Sequence, residues 1–160
     1  MPMSWEAFQN TDWYRESHPD WDRKPTTEEL KEGCMREYIN AVDSYRERMR
    51  EQAEAFAEKY DGAEFDDSCE YDENGNVIAK ATYVCTKIRN GHVYGLLGRG
   101  TYEQCQMRKY EFNLANIHNE WELAGVERIT YTSEDELDDI LIGYREAAYE
   151  YDMYGYDDDY

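Results

Sequence analysis

The chain has 160 residues, and 37 Asp and Glu against 17 Lys and Arg leave it with a formal net charge of -20. Binding to nucleic acid or to an anionic membrane rests on Lys and Arg displacing counterions, so this balance argues against direct contact with DNA, RNA or acidic lipid and points to a basic protein as partner. No stretch approaches the roughly 20 apolar residues of a membrane span, and Met1-Pro2-Met3-Ser4-Trp5-Glu6 lacks the basic and apolar regions of a secretory signal, so a cytoplasmic protein is expected.

In chain order, Ser4 can cap a short helix through Trp5, Phe8 and Trp13 that ends near His18-Pro19. Thr26 with Glu29 forms a capping box for a long helix reaching about Tyr60, with Met35, Tyr38, Val42, Tyr45, Met49 and Phe56 as its apolar stripe and Asp61-Gly62 as its stop. The opposite face, with Glu37, Arg46, Arg48, Glu51 and Glu54, reads as mixed in sign and solvated. Strands follow over Glu64 to Tyr71, Val77 to Ile88 and His92 to Leu97, joined at Asn74-Gly75 and Asn90-Gly91 into an antiparallel meander. Thr101 with Gln104 caps a second helix carrying Tyr110, Leu114, Ile117, Trp121 and Ala124 up to Gly125, weakened by Asn113, Asn116 and Asn119. Val126 to Thr132 reads as a fourth strand, and Ser133 with Glu136 opens a last helix with Leu137, Ile140, Leu141, Tyr144 and Ala148 on one face. The sum is an α+β fold with a long N-terminal helix, an antiparallel three- to four-stranded sheet and two further helices. Residues 1–151 read as a single domain and 152–160 as a flexible acidic Tyr/Asp tail.

Motifs for catalysis or cofactors fail on their own requirements, and no cofactor or metal is expected. Glu70, Asp72, Asn74 and Gly75 match the early positions of a calcium loop, but its twelfth position is Ala81 and the bidentate carboxylate is missing. Gly91, Gly95, Gly98 and Gly100 are not followed by the Gly-Lys-Ser/Thr of a phosphate loop. Cys34, Cys69, Cys85 and Cys105 are isolated, without a Cys-x-x-Cys pair, and read as free thiols of a reducing compartment. Nothing selects a nucleophile among them and the three histidines, so the chain reads as a binding protein rather than an enzyme.

The carboxylates themselves are the distinctive pattern. Between Tyr60 and Lys80 no basic residue interrupts a block containing Glu64, Asp66, Asp67, Glu70, Asp72 and Glu73. Glu134, Asp135, Asp138 and Asp139 cluster where the last helix begins, partly complementing its dipole. In the tail, Asp157, Asp158 and Asp159 stand among Tyr154, Tyr156 and other tyrosines. Acidity alone would serve solubility. The 16 tyrosines add stiff rings with polar tips, which suit a wet protein interface. At one charge per about 1.7 Å of duplex, twenty charges correspond to about 34 Å of DNA, against a diameter of about 39 Å for a compact chain of this length.

In size, charge and tyrosine content the chain resembles small acidic anti-defence proteins of phages and mobile elements, the DNA-mimic anti-CRISPR and anti-restriction inhibitors. The resemblance implies a viral protein acting inside a bacterial host as a stoichiometric inhibitor. Its acidic surface would occupy the basic nucleic-acid-binding groove of a defence nuclease such as a CRISPR-Cas effector. An acidic immunity or regulatory module that neutralises another basic protein is the alternative, and an enzyme of an unrecognised family the third reading.

Twenty uncompensated charges repel one another, and salt screens them with a Debye length of about 10 Å at 0.1 M. The melting temperature should therefore rise between low and moderate salt; a flat response in a salt series would mean that the charges are internally paired.

Overall fold

In the computed structural model of the chain, which describes residues 26–119 and 121–154 together with Ser4, Ala7, Thr11 and Asp12, the first long helix, α1, spans Thr27–Lys59. Thr26 caps it as expected, its Oγ1 accepting the Glu29 N–H at 3.2 Å. Asp61 and Gly62, with φ of 54° and 81°, turn the chain out of the helix. Ser4 Oγ accepts the Ala7 N–H at 3.1 Å, while Trp5, Phe8 and Trp13 of the expected short helix lie outside the described residues.

The sheet is antiparallel and four-stranded: β1 (Cys69–Tyr71), β2 (Val77–Arg89), β3 (His92–Gly100) and β4 (Glu122–Tyr131). β2 is its axis. Lys80 pairs with both Cys69 and Tyr131, and Tyr83 with both Gly100 and Arg128, so β4 runs along one edge of β2 while β1 and β3 share the other. A simple meander would have put β1 and β3 on opposite edges; the longer β4 takes the place beside β2 instead.

Differences from the expected boundaries have local causes. β1 is shorter than Glu64 to Tyr71 because Asp66 Oδ1 accepts both the N–H and the hydroxyl of Ser68, at 2.9 and 2.7 Å, which folds the chain into a turn before the strand. Asn90-Gly91 forms the tight hairpin expected, both residues having positive φ. At the first hairpin only Gly75 is left-handed, and Asp72 Oδ1 organises a wider turn by accepting the N–H groups of Asn74 and Asn76, each at 2.9 Å.

The second helix, α2 (Tyr102–Ala115), has the full Thr101/Gln104 capping box but stops well before Gly125. Its asparagines account for the stop. Asn116 Nδ2 donates to the Phe112 carbonyl, Asn119 Oδ1 accepts the Trp121 N–H, and Asn113 Oδ1 accepts the Ala124 N–H at 3.0 Å. Trp121 and Ala124 therefore belong to the turn and to β4, and Gly125 is a strand residue opposite Thr86 rather than a helix stop. An added Cβ there would come within 3.1 Å of Thr86 Oγ1.

The last helix, α3, spans Glu134–Tyr154 and so continues past the expected domain end at Tyr151. Ser133 Oγ caps Glu136 N–H at 3.2 Å, and the Glu136 carboxylate accepts the Thr132 N–H in return. Tyr156, Asp157, Asp158 and Asp159 lie outside the described residues.

The helices cover both faces of the sheet. Cys85 and Ala124 pack with Cys105 of α2 and the flanking Phe112 and Val126. Successive strand residues point to opposite faces, so Glu127, next to Val126, faces the other way, where it accepts the Tyr144 hydroxyl of α3 at 2.6 Å. Leu137 anchors α3 at 1% exposure, and burying a leucine contributes roughly 1.5–3 kcal/mol. α1 rests on α2 rather than on the sheet. The two run antiparallel, with Tyr38 near Tyr110 at 5.5 Å and Tyr45 stacked on Tyr102 at 4.0 Å. Of the expected α1 stripe, Val42 is buried, Tyr38, Tyr45, Met49 and Phe56 are half-buried, and Met35 is exposed.

Candidate functional site

The acidic block between Tyr60 and Lys80 divides in two. Half of it is consumed by the fold. Arg128, opposite Tyr83 on the sheet, reaches from β4 to the segment before β1. Its Nη1 donates to Glu70, its Nη2 to the carbonyls of Asp67 and Cys69 at 3.1 Å each, and its Nε stands 3.5 Å from Asp67 Oδ1. Asp67 also accepts the Tyr45 hydroxyl of α1. Burial first, and Asp67 second, raise the Tyr45 hydroxyl well above its ordinary pKa and push Tyr83 up to about 12. Asp66 and Asp72 are held below the usual carboxylate range by backbone N–H donors, from Ser68 and Asn76 respectively. Asp61, Glu64 and Glu73 are exposed and their carboxylates have no such task.

The surface charge comes instead from α1. At about 100° per residue, Asp43, Glu47, Glu51, Glu54 and Glu58 fall in one band about 80° wide, directly opposite the inward Val42, Tyr45 and Phe56. All five are exposed. None forms an ion pair with a Lys or Arg among the described residues. The band is about 22 Å long at 1.5 Å per residue. That is one carboxylate per roughly 5–6 Å, against one phosphate per about 3.4 Å on a single strand of duplex DNA.

In sequence this band is blurred by Arg46, Arg48 and Arg50, which fall among its carboxylates. Arg46 is drawn aside to Glu103 on α2, at 2.8 and 3.1 Å, and Arg48 lies 5.7 Å from the Tyr45 ring. Glu37 likewise takes Lys109, at 3.1 Å. The i, i+4, i+7, i+11 spacing from Glu47 to Glu58 was the available signal.

At the start of α3, Glu134, Asp135, Asp138 and Asp139 are all exposed. They do not merge with the α1 band, because α3 lies on the other face of the sheet. The two surfaces nevertheless share an end of the molecule. α1 runs towards the β1 hairpin, where Phe56 meets Tyr71 at 4.7 Å, and α3 begins just after Tyr131, which pairs with Lys80 at that same end. Glu64 and Glu73 flank β1 there. The opposite end holds Lys87 and Arg89, the latter bonded to the buried Glu122 at 2.5 Å.

No other chemistry is assembled among the described residues. Burial pushes the Cys85 thiol up to about 11 and raises Cys105 as well, which suits small core residues and not nucleophiles. No group of three or more His, Cys, Asp or Glu among the described residues is arranged to hold a metal ion, and no described helix is long and apolar enough to cross a membrane. Comparison of the chain with family models, with curated proteins and with solved structures finds no match.

Removing Arg128 leaves Asp67 and Glu70 facing each other without a cation. Breaking a buried pair costs about 3–5 kcal/mol, and the partial exposure of this one places Arg128→Met near the lower figure. Urea unfolding should show that loss, while Glu64→Gln and Glu73→Gln leave the midpoint within about 0.5 kcal/mol of the parent. Equal effects from the two classes would contradict the division of the block.

Proposed function

We propose that the protein is a stoichiometric inhibitor that uses its acidic end to occupy the basic nucleic-acid-binding groove of a defence nuclease, such as a CRISPR-Cas effector. The observation that carries this reading is the α1 band: five exposed carboxylates in register along about 22 Å of a helix, none of them ion-paired with a Lys or Arg among the described residues. A helix is stiff, so these charges need no ordering when they meet a groove, which limits the entropy cost of binding. The first turns of α3, with Glu134, Asp135, Asp138 and Asp139, extend the negative field on the far side of the same end. Glu64 and Glu73 complete it between them. Such a surface would accelerate encounter with a basic groove and reject nucleic acid itself.

The division of the acidic block shifts the expected contact surface. Asp66, Asp67, Glu70 and Asp72 have structural tasks, so the binding role passes from them to the α1 band.

The test is a pull-down of a Cas effector by the full chain, repeated with duplex DNA as competitor and with the variant Glu47→Gln/Glu51→Gln/Glu54→Gln/Glu58→Gln. DNA should displace the protein, and the variant should bind roughly tenfold more weakly, about 1.4 kcal/mol, with the difference shrinking as salt rises. Binding that persists under saturating DNA, or is unchanged in the variant, would contradict charge mimicry. Capture of a basic protein that binds no nucleic acid would favour the immunity-type reading.

A further inference from the structure

Because α1 rests on α2, its C-terminal half stands away from the sheet and leaves a cavity of 710 Å³ above β1 and the N-terminal part of β2. Small-ligand sites typically measure roughly 300–1,000 Å³. One wall is a set of rings: Phe56 lies 4.7 Å from Tyr60, 5.7 Å from Phe65 and 4.7 Å from Tyr71, centroid to centroid. The wall is held rigid from behind. The Tyr60 hydroxyl donates to the Glu73 carbonyl at 2.7 Å, and the Tyr71 hydroxyl accepts the Asp66 N–H at 2.9 Å. The Tyr60 ring also packs on the backbone at Gly75, where an added Cβ would lie 2.9 Å from it.

The polar groups lining the cavity can be matched one by one. Arg128 is taken up by Glu70 and two carbonyls, its Nε standing 3.5 Å from Asp67 Oδ1 without a hydrogen bond, and Asp72 by its own turn. What remains is Arg48 and Lys59, with Gln52 between them, on one flank of α1. Neither reaches a carboxylate among the described residues; Arg48 lies 5.7 Å from the Tyr45 ring and Lys59 5.2 Å from the Tyr60 ring. On a chain of charge -20, the cavity therefore combines flat apolar walls with two cations that no acid neutralises. A cationic ligand would find every carboxylate of the cavity already engaged. A neutral aromatic would leave the two cations idle.

We infer that this cavity binds a small planar aromatic anion, its ring against the Phe56 wall and its negative group at Lys59, which lies against Tyr60 of that wall, with Arg48 about three turns away along the same flank. This inference is independent of the inhibitor reading, since it concerns the inner flank of α1 and not the acidic band on its outer face. Carboxylate and phosphate would both satisfy the cations, so the probes must include each.

Fluorescence titration of the full chain with anilinonaphthalenesulfonate supplies the test, with indoleacetate, adenosine monophosphate and the cation tryptamine as competitors. One saturable site is expected, displaced by indoleacetate or by adenosine monophosphate, and the better of the two identifies the anionic group. Tryptamine should not displace the probe. Arg48→Gln/Lys59→Gln should weaken binding by roughly tenfold in a protein that remains folded at the assay temperature. Ala55→Trp fills the cavity from the same flank while keeping both cations; it should abolish binding, and it keeps the test decisive if the double variant is unstable. Non-saturable binding, equal displacement by tryptamine, or full affinity in a folded Arg48→Gln/Lys59→Gln or Ala55→Trp protein would overturn the inference.

Discussion

Asp67 is the carboxylate around which the described structure closes. The Tyr45 hydroxyl from α1 and the Arg128 guanidinium from β4 both converge on it, with Tyr83 of β2 beside them. A hydrogen bond to a charged group contributes about 1.5–3 kcal/mol when formed in place, and here the Tyr45 bond and the Arg128 ion pair join elements distant in sequence at one point. The tyrosines do more than donate. Tyr45 stacks on Tyr102 and meets Tyr83 edge-on at 6.1 Å, so the same contact that satisfies the carboxylate also seats α1 on α2. In a chain with an excess of negative charge, an acid thus serves as the anchor.

That anchor has consequences on both flanks of α1. Tyr45 points inward, so the residues on the opposite side of the helix, from Asp43 to Glu58, face solvent in a single row. Arg46 and Arg48 are diverted to Glu103 and to the Tyr45 ring, and the exposed Arg50 stands at the edge of the row without an ion pair to it among the described residues. On the inner flank the helix is held above the sheet by its aromatic contacts, and the cavity beneath it is the result. Unpaired carboxylates in a row repel one another, and Glu58 in the last turn also opposes the helix dipole. Charges that weaken the fold are expected where function needs them.

The legible features of the sequence were those decided within a few residues. The caps at Thr26, Thr101 and Ser133, the left-handed stop at Asp61-Gly62 and the Asn90-Gly91 hairpin all rest on side chains bonding to neighbouring backbone or on locally favoured backbone angles, and each is present. So is the α+β class, which follows from hydrophobic period. Features decided across the fold were hidden. Asn113, Asn116 and Asn119 signalled weakness in the second helix, but only the pairing of Ala124 with Asn113 explains why the chain leaves the helix for β4 so early. The block from Glu64 to Glu73 looked uniform in sequence because nothing local marks Asp67 and Glu70 as partners of Arg128, 58 residues beyond Glu70. The α1 band was obscured for the same reason, since the partners that remove Arg46 and Arg48 lie on the second helix and on an inward-facing ring.

Some carboxylates of this chain hold the fold and others burden it, and the proposed acidic surface depends on that difference. Equilibrium urea unfolding of Glu47→Gln/Glu51→Gln/Glu54→Gln/Glu58→Gln at low salt tests it most directly. Relief of repulsion along the helix should move the unfolding midpoint to higher urea than in the parent chain, with the gain disappearing as salt is added. A midpoint that falls would show that these four glutamates are partners within the fold, and that the row on α1 is not a free acidic surface.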